Sequence, residues 1–253
     1  MNTKVSKKKI AGKPRKFIYV GISFLCFLIP LIGFWPSYYS LDIIETLQYP
    51  IFIHFHQAIY LGWLSLFFAQ AWFAANGKLE LHMKVGKYLI YYGILLIFTG
   101  LVALFGMFYV RVQLGTLRTP PLEIGPILDM ITFSLFFASA IYFRKVPELH
   151  KRLMVVATTS LLIAAVVRMW FLNTPGVFRV DNAVRNFLIV YPLWTSPILI
   201  AMMYDFFRHR IIHPVYVIGL IFLALESPVV RQTIHRNENW IAFGNWLAKV
   251  VSS

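Results

Sequence analysis

The sequence predicts an all-α integral membrane protein: about seven transmembrane helices in one bundle, with the N terminus cytoplasmic and the C terminus outside. Three observations carry this prediction. Hydrophobic residues make up 59% of the 253 and charged residues only 13%, about half the charged share of a soluble domain. Mean hydropathy is +0.69. Apolar stretches of about 20 residues, enough to cross about 30 Å of hydrocarbon, recur along the whole chain.

These stretches fall at residues 17–35, 51–75, 87–110, 125–143, 153–172, 187–207 and 214–233. The first is long, ends in Phe34-Trp35-Pro36 and is followed by no small-residue cleavage pattern, so it reads as a span and not a signal peptide. Residues 1–16 form a basic tail, 17–235 the seven-helix transmembrane domain, and 236–253 an amphipathic helix at the outer interface. Trp240, Phe243, Trp246 and Leu247 supply that helix with its apolar face. Short turns join the spans, marked by Asn76-Gly77, Thr119-Pro120-Pro121 and Thr174-Pro175-Gly176. Pro192 and Pro197 predict a kink in the sixth span, and Pro228 predicts one in the seventh. Cys26 is the only cysteine, which excludes an intramolecular disulfide and a thiolate cluster. It lies inside the first span, where packing is its expected role.

The formal charge is +14, and its distribution points to topology. The tail carries Lys4, Lys7, Lys8, Lys9, Lys13, Arg15 and Lys16 with no acid. Lys78, Lys84 and Lys87 cluster around the second connection, Arg144, Lys145, Lys151 and Arg152 around the fourth, and Arg208 and Arg210 around the sixth. The first connection holds Asp42 and Glu45 and no basic residue. Basic residues on alternate connections are the positive-inside pattern, which places them at the cytoplasmic face of a bacterial inner membrane. The lipid bilayer, with anionic lipids at that face, is the expected partner, and nucleic acid is not.

Every histidine lies at or beside the edge of an apolar stretch, where imidazole can bind metal or exchange protons without full burial. The second stretch opens His54-Phe55-His56 and continues to Trp63 and Gln70. Residues 56, 63 and 70 are seven apart and share a helical stripe. His54 joins His56 on one metal only if the backbone there is still extended. Further on come His82-Met83-Lys84-Val85-Gly86 and His150-Lys151-Arg152-Leu153-Met154. Arg168 follows His150 by eighteen residues, five helical turns or about 27 Å along a straight helix. An arginine within a span costs at least about 2.5 kcal/mol and calls for a partner; Asp129 and Glu226 are the candidates.

Two clusters result. The outer one holds His54, His56, Asp129, Arg168, Glu226, Arg231 and His235, with His54, His56, Asp129 and Glu226 as candidate metal ligands. Arg168, Gln70, Trp63 and Arg231 would have structural or relay roles. The inner cluster holds His82, His150 and one of His209 and His213. Its first two members are candidate axial ligands for a haem, set against a reading in which they bind lipid phosphates beside Lys84, Lys151 and Arg152. No catalytic residue is assigned, since no nucleophile triad, phosphate loop or nucleotide fingerprint appears.

These motifs together resemble those of a bacterial group of multi-pass membrane proteins of unknown function. Its pattern is His-x-His before a Gly-Trp and Gln helix, then His-basic-x-x-Gly, then His-basic-x-x-Met with a downstream arginine. Here the matching residues are His54, His56, Gly62, Trp63 and Gln70; His82, Lys84 and Gly86; and His150, Lys151, Met154 and Arg168. In the second motif Met83 stands directly after the histidine and the basic residue comes one later. The resemblance covers about residues 50–170 and implies an integral membrane protein without assigning a reaction. Dihaem cytochromes b are a weaker likeness, because the mid-membrane histidine pairs of that family are absent. Hydrolases with seven spans use a His-x-x-x-His zinc pair, a spacing that His209 and His213 share, although Pro214 disfavours a common helix.

Three functions compete. The first is a membrane redox protein with a transition metal or haem b as cofactor, its preferred site being the outer histidine and acid cluster. The second is a proton-coupled small-solute transporter using Asp129, Arg168 and Glu226. The third is a non-catalytic accessory subunit bound to other subunits of a membrane complex.

Overall fold

The computed structural model describes residues 17–40, 48–173 and 183–253, with side chains omitted at 170–173 and 183–186. The basic tail, Asp42 with Glu45, and the Thr174-Pro175-Gly176 turn lie outside the described residues. Everything ordered within them is helical. Helix α1 (Ile18–Phe34) runs into a π-helical turn at Trp35–Tyr39. It is followed by α2 (Ile51–Ala75), α3 (Leu79–Gln113), α4 (Gly125–Tyr142), α5 (Pro147–Ser160) and α6 (Ile163–Asn173). The remaining helices are α7 (Ala183–His209), α8 (Pro214–Leu225), α9 (Pro228–His235) and α10 (Glu238–Ser252).

Six of these units are long and apolar enough to cross a membrane, and the bent α5–α6 pair makes a seventh. Only 22–44% of the residues in the six apolar windows are buried. Most of their apolar surface therefore faces outward, as on Tyr88, Tyr91 and Phe98 of α3. Lipid is the solvent that tolerates such a surface.

The core is centred on Trp63, Phe133, Trp194 and Tyr216, each essentially inaccessible. Trp63 packs edge-on against both Phe133 and Phe137, with ring centroids 5.2 and 5.3 Å away. At Gly33 an added Cβ would overlap the Ala165 carbonyl, so α1 and α6 meet backbone to backbone there.

The fifth span departs from the straight helix expected of it. It bends by 44° between α5 and α6, with no proline or glycine at the break. Partners from elsewhere in the fold take the carbonyls that the bend releases. The Trp194 indole donates to the Thr159 carbonyl at 2.8 Å, and the Tyr60 hydroxyl donates to the Leu161 carbonyl at 3.0 Å. Side chains inserted into the ladder are a known cause of kinks.

The sixth span, by contrast, stays one helix through both prolines. Pro197 cannot donate to the Leu193 carbonyl, and Ser196 Oγ takes that carbonyl at 2.8 Å instead. The seventh breaks before Pro228, as expected, into α8 and α9. The C-terminal helix also forms. The Asn237 side chain caps it by accepting from the backbone N–H groups of Asn239 and Trp240. The Trp240 indole ties it to the Leu122 carbonyl at 2.9 Å, while Phe243 and Trp246 stay exposed.

Candidate functional site

The bundle has two polar ends. The basic end holds the α2–α3, α4–α5 and α7–α8 turns, and the opposite end holds the α3–α4 connection and α9.

At the basic end a cavity of about 660 Å³ opens among α1–α5 and α7. Trp63, Gln70, His82, Gly86, His150 and Met154 all line it, so the three separate sequence motifs converge on one space. His82 and His150 lie within α3 and α5, not ahead of them. Their rings are 6.4 Å apart between centroids and nearly perpendicular, at 86°. His82 Nδ1 is 3.2 Å from the Gln70 carbonyl and His150 Nδ1 is 2.8 Å from the Ala140 carbonyl. A carbonyl can only accept, so each Nδ1 carries a proton, and in the neutral ring Nε2 is the atom with the lone pair. Nearby, Gln70 leaves both amide atoms buried without a partner, as does the Trp63 indole nitrogen.

Beside this cavity sits an ion cluster of which the sequence reading saw only part. Arg152 is 4% exposed and Asp205 2%. The Arg152 guanidinium reaches Asp205 Oδ2 at 2.6 and 2.8 Å and Glu148 Oε2 at 2.6 Å. Its charge is spent inside the protein, so Arg152 is not the lipid-phosphate ligand it was expected to be. Asp205 was missed altogether; its signal was a lone acid late in an apolar stretch, four residues before His209. Lys151 bonds Glu148 and lies over the Tyr19 ring. Of the two late histidines, His209 lines the cavity, whereas His213 caps α8 through its side chain. They do not share a helix.

The opposite end separates what the sequence grouped. Helix α2 already begins at Ile51, so His54 and His56 diverge. His54 Nδ1 meets the Tyr38 hydroxyl at 2.6 Å, and its Nε2 lies 3.2 Å from the Tyr49 carbonyl. His56 is stacked against Tyr60, with Nδ1 3.4 Å from Thr99 Oγ1.

Asp129 and Glu226 do converge, but on Arg231 and not on the expected Arg168. Arg231 Nη2 is 2.5 Å from Asp129 Oδ1 and 3.8 Å from Glu226 Oε2. Its Nε donates to the Glu226 carbonyl at 2.6 Å, and the Thr132 hydroxyl bonds the Glu226 carboxylate. His235 Nε2 lies 3.4 Å from Glu123 Oε2. Arg168 lies over the Phe34 ring at 4.7 Å and, with His56, Gln57 and Asp129, lines a second cavity of about 280 Å³. The bend after α5 sends His150 and Arg168 to different cavities.

Among the described residues no group of three or more His, Cys, Asp or Glu is placed to hold a metal ion. A haem needs only two axial side chains, and the basic end offers two imidazoles. Comparison with family models, with curated proteins and with solved structures found no match to this chain.

Proposed function

We propose that this chain is a membrane haem protein whose iron is held between His82 and His150 at the basic end of the bundle, and that it carries electrons. The single observation behind this reading is the imidazole pair. With ring centroids 6.4 Å apart, the two imidazoles are close enough that both could hold one iron. Both Nδ1 protons are committed to backbone carbonyls, the arrangement that orients a ligating imidazole and leaves its Nε2 free.

The surroundings agree. The cavity volume of about 660 Å³ lies in the range of cofactor sites. Phe67, Leu89, Phe137 and Met154 give it apolar walls, and Arg208 lines it with charge suited to a carboxylate substituent. Held by His82 and His150, a haem would supply electron transfer. The alternating basic connections favour placing the basic end at the cytoplasmic face of a bacterial inner membrane.

The test is the visible spectrum of the full chain, expressed with haem supplied and purified in detergent. The expected result is a Soret band, sharpened α and β bands on dithionite reduction, and one haem per chain by pyridine haemochrome. Protein that stays colourless under these conditions overturns the assignment.

A further inference from the structure

We propose that the second cavity, at the opposite end of the bundle, binds a small hydroxy-carboxylic acid with an apolar or aromatic body. This goes beyond the haem reading and holds whether or not the basic end carries haem.

The first observation is the state of Arg168. Arg152 and Arg231 are satisfied, the first by Asp205 and Glu148 and the second by Asp129, whereas Arg111 and Arg168 both line this cavity. Arg168 is exposed and lines the cavity. Among the described residues no carboxylate lies within ion-pair distance of it, and only the Phe34 ring sits against its guanidinium. Asp129 faces the same space but is held by Arg231. A cation left unpaired within an apolar span is costly unless something neutralises it. A carboxylate fits the planar guanidinium fork in bidentate fashion. Arg111 and Arg168 stand in the wall against the Glu123 carboxylate, with Asp129 held by Arg231, which leaves one positive charge and favours a monoanion over a phosphate dianion.

The second observation is independent of the first. Gln57 is 9% exposed, lines the cavity, and keeps its Oε1 buried without a hydrogen-bond partner. Buried acceptors are rarely left unmade, and an orphan facing a cavity asks for a donor from the occupant. Arg168 therefore calls for an acceptor and Gln57 for a donor. Between them the walls are Leu96, Met107, Phe108 and Met130, which suit a hydrocarbon body. A volume of about 280 Å³ holds roughly nine water-sized groups at ~30 Å³ each, the size of one substituted ring. A single molecule with a carboxylate at one end and a hydroxyl at the other meets all three demands.

The experiment uses the purified full chain in detergent, with 4-hydroxybenzoate, benzoate and octanoate as probes in equilibrium binding. The expected result is saturable binding of 4-hydroxybenzoate, several-fold tighter than benzoate. Arg168→Gln should weaken it at least tenfold. Gln57→Leu should erase the preference for 4-hydroxybenzoate over benzoate. The wild-type comparison of the two benzoates needs no variant, so it decides even if Arg168→Gln fails to fold. Equal affinity for the two benzoates, or no saturable binding, overturns the proposal. Octanoate binding as tightly as 4-hydroxybenzoate also overturns it, by assigning the cavity to a lipid-derived chain.

Discussion

The two ends of the bundle are built from the same parts and arrange them oppositely. Each has an arginine gripped by a carboxylate from another helix, Asp205 for Arg152 and Asp129 for Arg231, and each has a cavity beside it. At the basic end Arg152 takes Asp205 and Glu148, and the cavity is left with imidazoles that have no carboxylate partner among the described residues. At the opposite end Arg231 takes Asp129, and the cavity is left with Arg168 and Arg111, neither of them ion-paired among the described residues. The difference teaches that a buried ion pair decides which polar groups remain for a ligand. A pair of imidazoles suits a metal centre, whereas guanidinium groups without a carboxylate suit an anion.

The sharpest way to break this contrast is to remove the histidines end by end. His82→Ala and His150→Ala are each expected to abolish haem retention, since alanine offers no donor atom in place of the imidazole. His54→Ala and His56→Ala should retain the full complement. Pyridine haemochrome on the four variants reads the difference directly. Loss of haem in the His56 variant with retention in the His150 variant would reverse the assignment of the ends.

Next in size is the ion cluster at the basic end. Arg152→Met strands the Asp205 carboxylate in a nearly inaccessible site and should cost about 3–5 kcal/mol. Adding Asp205→Leu should restore much of that, because an apolar pair of similar volume removes the uncompensated charge. SDS-titrated unfolding in mixed micelles measures all three proteins, and a double variant no more stable than Arg152→Met contradicts the account. The matching change at the opposite end, Arg231→Met, should cost less, about 2 kcal/mol. Its side chain is more exposed than that of Arg152, 13% against 5%, and Thr132 still bonds Glu226 when the arginine is gone.

Much of the fold was legible because a membrane span announces itself. Apolar length alone locates six helices that structure and sequence share. The bend after Ser160 was not legible. Nothing in the local sequence breaks that helix; Trp194 and Tyr60 do, from 35 and 101 residues away. For the same reason the sites were only half readable. Hydropathy assigns each side chain a depth, so it sorted the histidines into two ends. Depth alone cannot say which arginine reaches Asp129, and Arg231 lies one short broken helix beyond where Arg168 was expected to act. The three motifs of the basic end were each visible, but only the packing of α2 against α3 and α4 against α5 brings them to one cavity.

The smallest effect tests whether the basic end is also tuned by pH. His213 stands just before α8 and its Nδ1 accepts from the Val215 N–H at 3.3 Å, with Pro214 at the first helical position. To accept, Nδ1 must be unprotonated. Burial, with Arg152 nearby, holds this imidazole below its ordinary value, so the folded state favours the neutral form more than the unfolded chain does. The sign follows: the cap contributes fully above the unfolded value and is lost as pH falls through the folded one. The size should be at most about 1 kcal/mol, the scale of a helix cap, and smaller still because His213 is partly solvated. His213→Asn supplies a cap that does not titrate in this range. It should match the native protein at neutral pH and lose less stability on acidification. An identical acid profile for the two proteins would mean that the imidazole is not acting as a cap, and that the α7–α8 turn at the basic end is held by Pro214 and packing alone.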